Sequence, residues 1–243
     1  MKKKFAFTLA KGAMHVAMPP VFSKVGFTLA EVLITLGIIG IVAAMTIPTL
    51  LTKLTEDRTV TQLRAVQSIL SQTIRSAEEE YGSMEGWGIT DYDEASAILI
   101  ADKLKPFMKV ALDCGVNDEN AHCAPNMAYK YLKGTNETNY ATNSISHTYK
   151  IVLMNGCSIY IRGGQPEAKS IAVFYVDTNG KAKPNTWGRD FFQFYYLPVK
   201  GLYPAGHPEQ SSASSANSCN LNNTGFGCAY YVLHNKNMKY LRK

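Results

Sequence analysis

Lys24-Val25-Gly26-Phe27-Thr28-Leu29-Ala30-Glu31 leads into an apolar run from Val32 to about Leu51. Such a run is long enough to cross a bilayer as a helix, for which about 20 apolar residues suffice. The lysines lie ahead of it, a polarity that holds the N-terminal side in the cytoplasm and sends the C-terminal side across. A secretory signal peptide would carry its small-residue cleavage site after the apolar stretch. Here the small residue, Gly26, comes before it, so a cut at Gly26 removes the basic leader and keeps the helix. An ordinary signal anchor leaves Glu31 unexplained. A carboxylate in hydrocarbon costs roughly 3 kcal/mol or more unless it is paired. Cleavage after Gly26 creates an amine on Phe27 that can neutralise Glu31, within one chain or between neighbours. The alternative is a Glu31 that reaches the headgroups.

The charge follows the same division. The chain has 243 residues and a formal net charge of +6. Lys2, Lys3, Lys4, Lys11 and Lys24 put five of those charges in residues 1–26, where no acid occurs, leaving +1 for the remainder. The basic balance therefore belongs to the leader, which argues against a nucleic-acid partner for the rest. Phe7-Thr8-Leu9-Ala10 imitates Phe27-Thr28-Leu29-Ala30 but is followed by Lys11 and no apolar run, and reads as a decoy. Met14 and Met18 are alternative starts.

Gly26-Phe27-Thr28-Leu29-Ala30-Glu31 and the apolar run resemble the prepilin signal of type IV pilins and type II secretion pseudopilins. The resemblance implies cleavage between Gly26 and Phe27 by a membrane prepilin peptidase, N-methylation of Phe27, and an assembly role for Glu31. It also implies homologous pilin subunits, an inner-membrane assembly platform and membrane lipid as partners, in a pilus, a DNA-uptake filament or a secretion pseudopilus alike. The chain would be a single-pass inner-membrane protein before assembly and part of an envelope or surface filament afterwards. Gly37, Gly40 and Pro48 interrupt the run. Pro48 removes a backbone donor and is expected to kink or loosen the helix. The resemblance implies a stretch that unwinds in a filament.

Beyond Thr52 the pattern becomes amphipathic: Val60, Leu63, Val66, Leu70, Ile74, Ala77 and Tyr81 recur at steps of three and four. One helix is predicted from Phe27 to about Tyr81. The expected organisation is a removed leader (1–26), a transmembrane or filament-core helix (27–52), an amphipathic half (53–90) and a globular α+β domain (91–243). A second helix, from Glu94 to about Lys103, is expected to be capped by Asp91 or Asp93, to show Ala95, Ile98, Leu99 and Ala101 inward, and to end at Pro106. Asp113 to His147 reads as loop. Tyr149–Leu153, Ser158–Ile161, Ile171–Val176 and Phe191–Leu197 read as an antiparallel meander, with Asn155-Gly156 as a hairpin turn and Tyr230–Leu233 as an added edge strand. The fold class is thus α+β, with a long N-terminal helix packed on an antiparallel meander, a pilin-like arrangement.

Five cysteines occur, without zinc spacing. Cys114/Cys123 and Cys219/Cys228 are candidate disulfides in an exported protein, and Cys157 reads as a buried thiol. The segment from Asp177 to Asp190 is dense in turn formers. Asp177, Asn179, Asn185 and Asp190 could supply oxygens to calcium, although Asp177-Thr178-Asn179-Gly180 is also a turn signature. Trp187 reads as packing. His15, His122, His147, His207 and His234 are scattered, and no nucleophile elbow, zincin or phosphate-loop motif occurs, so no enzyme is predicted. The competing expectation is a membrane-anchored extracytoplasmic module that binds calcium, glycan or DNA.

Overall fold

The computed structural model describes residues 26–89, 93–118, 122–125, 127–136, 147–165, 170–208 and 216–242. The chain divides into two units, 1–49 and 50–243. Helix α1 runs from Leu29 to Tyr81, with Pro48 inside it. Among the described residues, α1 holds one stretch long and apolar enough to cross a membrane.

In the second unit α1 buries Val60, Leu63, Val66, Leu70, Ile74 and Ala77. These lie at three- and four-residue steps, so they form one stripe. Leu63, Val66 and Leu70 are fully buried, each contributing roughly 2 kcal/mol of apolar burial. Tyr81 departs from the expected stripe and is half exposed. It meets Phe107 edge-on and lies under Lys103. Gly82, at φ +79°, takes the chain out of the helix where a side chain would be strained.

Helix α2, Glu94–Leu104, is capped by Asp93, whose carboxylate accepts the Ser96 amide at 2.8 Å. The other expected cap, Asp91, lies outside the described residues. The buried face is Ala97, Ile100, Ala101 and Leu104; Ile98 points outward. Spacing of three, four and seven from Ala97 defines a better stripe than the Ala95-based face expected from sequence.

Six strands follow in chain order as one antiparallel meander: β1 Val110–Gly115, β2 Tyr149–Leu153, β3 Ser158–Gln165, β4 Ser170–Asp177, β5 Phe191–Leu197 and β6 Gly201–Pro204. The expected strands form, and two edges are added. β1 occupies the start of the segment read as loop. It is half exposed and broken by register shifts, which removes the alternating pattern that would reveal it. β6 is four residues long and ends at Pro204, a residue suited to an edge. The edge strand expected at Tyr230–Leu233 is instead helix α3, Cys228–Asn235. Cys228, Ala229 and Val232 are buried at helical spacing, and the Tyr230 amide donates to the Ala205 carbonyl at 3.0 Å. β-Favouring residues here yield to tertiary packing.

The register separates two sheet faces. Ile151, Ile159, Val176 and Phe192 stand on one, with Ile161, Phe174 and Phe194. Tyr196 shares it and donates its hydroxyl to Glu78 of α1 at 2.6 Å, which places α1 on this face. Tyr160, Tyr175 and Asp177 stand on the other. Loop residues cover that side: Tyr129 bonds Tyr160 and Asp177, and Trp187 meets Tyr175 edge-on. Both faces of the central strands are therefore buried, as their near-continuous apolar sequences require.

Candidate functional site

The start of α1 holds the first candidate set. Gly26 and Phe27 precede the helix in non-helical backbone, and Phe27 is 87% exposed. Lys24 and the remainder of the leader lie outside the described residues. Thr28 and Glu31 form a reciprocal cap. The Thr28 amide and hydroxyl both donate to Glu31 Oε2 at 2.8 Å, and the Glu31 amide donates to Thr28 Oγ1 at 3.2 Å. This is a capping box, two helix-end donors satisfied by two side chains three residues apart. It gives Glu31 a local role that the charge-pairing reading overlooked. The spacing Thr-x-x-Glu before an apolar run was the legible signal. The carboxylate sits where the helix dipole favours negative charge.

Among the described residues the apolar side chains that follow find no cover. Leu33, Ile39, Ile41 and Met45 are more than half exposed. Gly37 and Gly40 have open space where a Cβ would stand, and helical backbone continues through Pro48. A helix apolar all round and bare all round calls for another apolar environment, lipid or other helices.

The second candidate is the turn between β4 and β5. Asp177 is fully buried; its Oδ2 accepts from Tyr129 at 2.7 Å and its Oδ1 from the Asn179 amide at 3.1 Å. Asp190 is 2% exposed and accepts the Asn185 and Thr186 amides at 2.7 and 2.6 Å. Burial raises both carboxyls, Asp190 to about 6 and Asp177 well above the usual range, where the nearby Asp190 charge adds to it. The side-chain oxygens of Asn179 and Asn185 are buried without a hydrogen-bond partner. Thus the four residues singled out from sequence do share one turn, with two buried acids and two orphaned amide oxygens. Among the described residues no three His, Cys, Asp or Glu side chains gather. All four carboxylate oxygens of Asp177 and Asp190 already accept hydrogen bonds within the fold, which leaves the two orphaned amide oxygens as the buried acceptors of this turn without a partner. Trp187, 2% exposed, packs between Phe191 and Phe226.

Cys114 bonds Cys123 and Cys219 bonds Cys228, each pair nine residues apart. Cys157 is a buried thiol, raised to about 12 chiefly by burial. The cysteine reading thus holds at all five positions. Of the histidines, His147 faces Glu94 at 3.4 Å, and His207 and His234 flank the Tyr230 ring; His15 lies outside the described residues. Tyr129, which ties the 123–134 segment to Asp177, had no sequence signal. Comparison of the chain with protein-family models finds no match, and comparison with curated proteins and with solved structures finds none either.

Proposed function

We propose that this chain is a structural subunit, a pilin or minor pseudopilin of a type IV pilus-like or type II secretion filament. In this reading a prepilin peptidase cuts after Gly26, Phe27 is methylated at its new amine, and the apolar half of α1 passes from membrane lipid into a filament core. The observation that carries it is the bare apolar helix that opens on a single carboxylate, Glu31, close to an exposed Gly26-Phe27 junction. Inside the capping box Glu31 is held at the helix start, within reach of an amine on Phe27 of its own chain or of a neighbour's. Neutralising both charges would let the end of the helix enter an apolar environment. Gly37, Gly40 and Pro48 supply weak points along the same segment. Mass spectrometry of the mature N-terminus tests the processing: methylated Phe27 is expected. A chain that keeps Lys24, or one cut after Leu51, refutes it.

A second reading, an anchored extracytoplasmic binding module, draws support from one observation: the orphaned Asn179 and Asn185 oxygens beside two buried acids. In this reading Asp177, Asn179, Asn185 and Asp190 hold calcium, which supplies the positive charge that the two carboxylates lack. Calorimetry with calcium, with a soluble glycan panel and with DNA separates the ligands of such a module; heat with calcium alone is expected, and no heat with any of them removes the reading.

A further inference from the structure

The near-neutral charge of the chain beyond its leader hides a local cluster of cations. Within the unit that begins at Leu50, α1 first shows exposed Leu50, Leu51 and Leu54, then turns polar. Around that change of surface the fold gathers cations from four places in the sequence. Lys53 and Arg58 stand exposed on α1 itself. Arg242 pairs with Glu56 at 2.6 Å and keeps more than half of its side chain exposed, which pins the chain's last described turn to the same level of the helix. Tyr240 in that turn donates its hydroxyl to the Gly188 carbonyl, and Arg189 acts electrostatically on Tyr240. Arg189 and Lys239, both exposed, therefore join the group. Arg58 also acts on Cys157, whose thiol donates to the Thr178 carbonyl at 3.4 Å, in the β4–β5 turn that carries exposed Lys183.

Apart from Asp57, the acids named around this ring are spent or hidden. Glu56 is 8% exposed and paired, and Asp177 and Asp190 are buried. Asp57 is the exposed acid on this part of α1. Exposed Glu79 and Glu80 lie 22 and 23 residues beyond Asp57 along the helix, roughly 34 Å away at 1.5 Å per residue. A cationic ring set where an exposed apolar helix surface gives way to polar surface has the chemistry of a juxtamembrane lipid contact.

We propose that this ring docks on an anionic phospholipid surface and seats the globular unit against the membrane from which its helix emerges. The inference rests on the reading of the apolar run as a membrane anchor. Each cation at an anionic surface contributes about five-fold in affinity, and the contact is sensitive to salt because the charges are exposed.

The test uses the full chain in maltoside micelles doped with phosphatidylglycerol or phosphatidylcholine. Hydrogen exchange of segments 53–58 and 239–242 is followed against lipid mole fraction. Protection by phosphatidylglycerol, none by phosphatidylcholine, and loss of the effect in 0.5 M salt are expected. Arg189→Gln with Lys239→Gln, both at exposed positions, should raise the half-saturating fraction about 25-fold. Glu79→Gln with Glu80→Gln should leave it unchanged. Equal protection by both lipids overturns the proposal, as does equal protection by a short DNA duplex in lipid-free micelles. Alkaline carbonate extraction of native membranes separates the two levels. A chain that stays embedded but shows equal protection refutes the ring alone; a chain that is released removes the anchor and the ring with it.

Discussion

Raising the pH should weaken the fold in part through Asp190, and replacing that residue should remove its share of the effect. Burial lifts the Asp190 carboxyl to about 6, against about 4 in an unfolded chain. The folded state therefore holds the proton more tightly. Its contribution is complete below pH 4 and is lost as the pH rises through 6. A difference of two in pKa corresponds to roughly 3 kcal/mol, to be lost between pH 4 and pH 8. Asp177 acts in the same direction. Asp113, lowered by its bonds to Tyr149 and Lys105 against opposing desolvation, acts in the other. The comparison that isolates the titration of Asp190 is with Asp190→Asn, which keeps a carbonyl oxygen for one of the two backbone amides, Asn185 or Thr186, and cannot ionise. Urea unfolding of the full chain in non-ionic detergent with EDTA, followed by near-ultraviolet circular dichroism, measures both profiles. The wild-type curve should fall about 2–3 kcal/mol further than the variant's over this range. If the turn holds calcium, as in the second reading, calcium at pH 8 should restore the wild type and leave the variant unmoved. Parallel profiles for the two proteins would refute the account of the buried acid.

Other expectations follow from separate parts of the molecule. Glu31→Gln preserves the capping box and removes the charge, whereas Thr28→Ala removes the cap, at about 1 kcal/mol of helix stability, and preserves the charge. If charge neutralisation drives assembly, Glu31→Gln is processed normally yet absent from sheared filaments, while Thr28→Ala is incorporated; the reverse pattern would make the cap the decisive element. Cys219→Ser with Cys228→Ser opens a loop closed across nine residues, and chain entropy sets the loss at about 3 kcal/mol in urea unfolding. Gly206→Ala should destabilise more than a surface change, because φ is +92° and a Cβ would stand 2.1 Å from the Gly227 carbonyl oxygen; a shift of the thermal midpoint below 1 °C would contradict that geometry. Leu63→Ala, at a fully buried position, should cost about 3 kcal/mol.

Legibility varied with the physical origin of each feature. The second half of α1 and strands β2 to β5 were readable because burial imposes a period on them, and the Asn155-Gly156 turn because its backbone demands that chemistry. The α2 face was misjudged by one position around the helix, since Ile98 is as apolar as Ile100 and only tertiary packing distinguishes them. β1 carries no period, being half exposed, and α3 carries β-favouring aromatics that the fold overrides. At the candidate sites, residue types announced the β4–β5 turn, but whether its acids were buried depended on Tyr129, some 50 residues earlier. The capping box is legible as Thr28-Leu29-Ala30-Glu31, a spacing independent of the charge that Glu31 brings to an apolar helix.

The strict chain order of the meander bears on how such a molecule could be completed while crossing a membrane. Each strand pairs with the one before it, so a sheet emerging N-terminus first always has its partner already outside. The thiols behave alike. Cys123 follows Cys114 by nine residues and meets it before Cys157 appears; Cys157 then enters the interior beside Thr178, and Cys219 and Cys228 arrive last as their own nearest neighbours. In an exported chain the first pair closes by proximity, and the native connectivity of the second then depends on Cys157 being buried before Cys219 emerges. The packing that hides one thiol thereby governs how much reshuffling the oxidation needs.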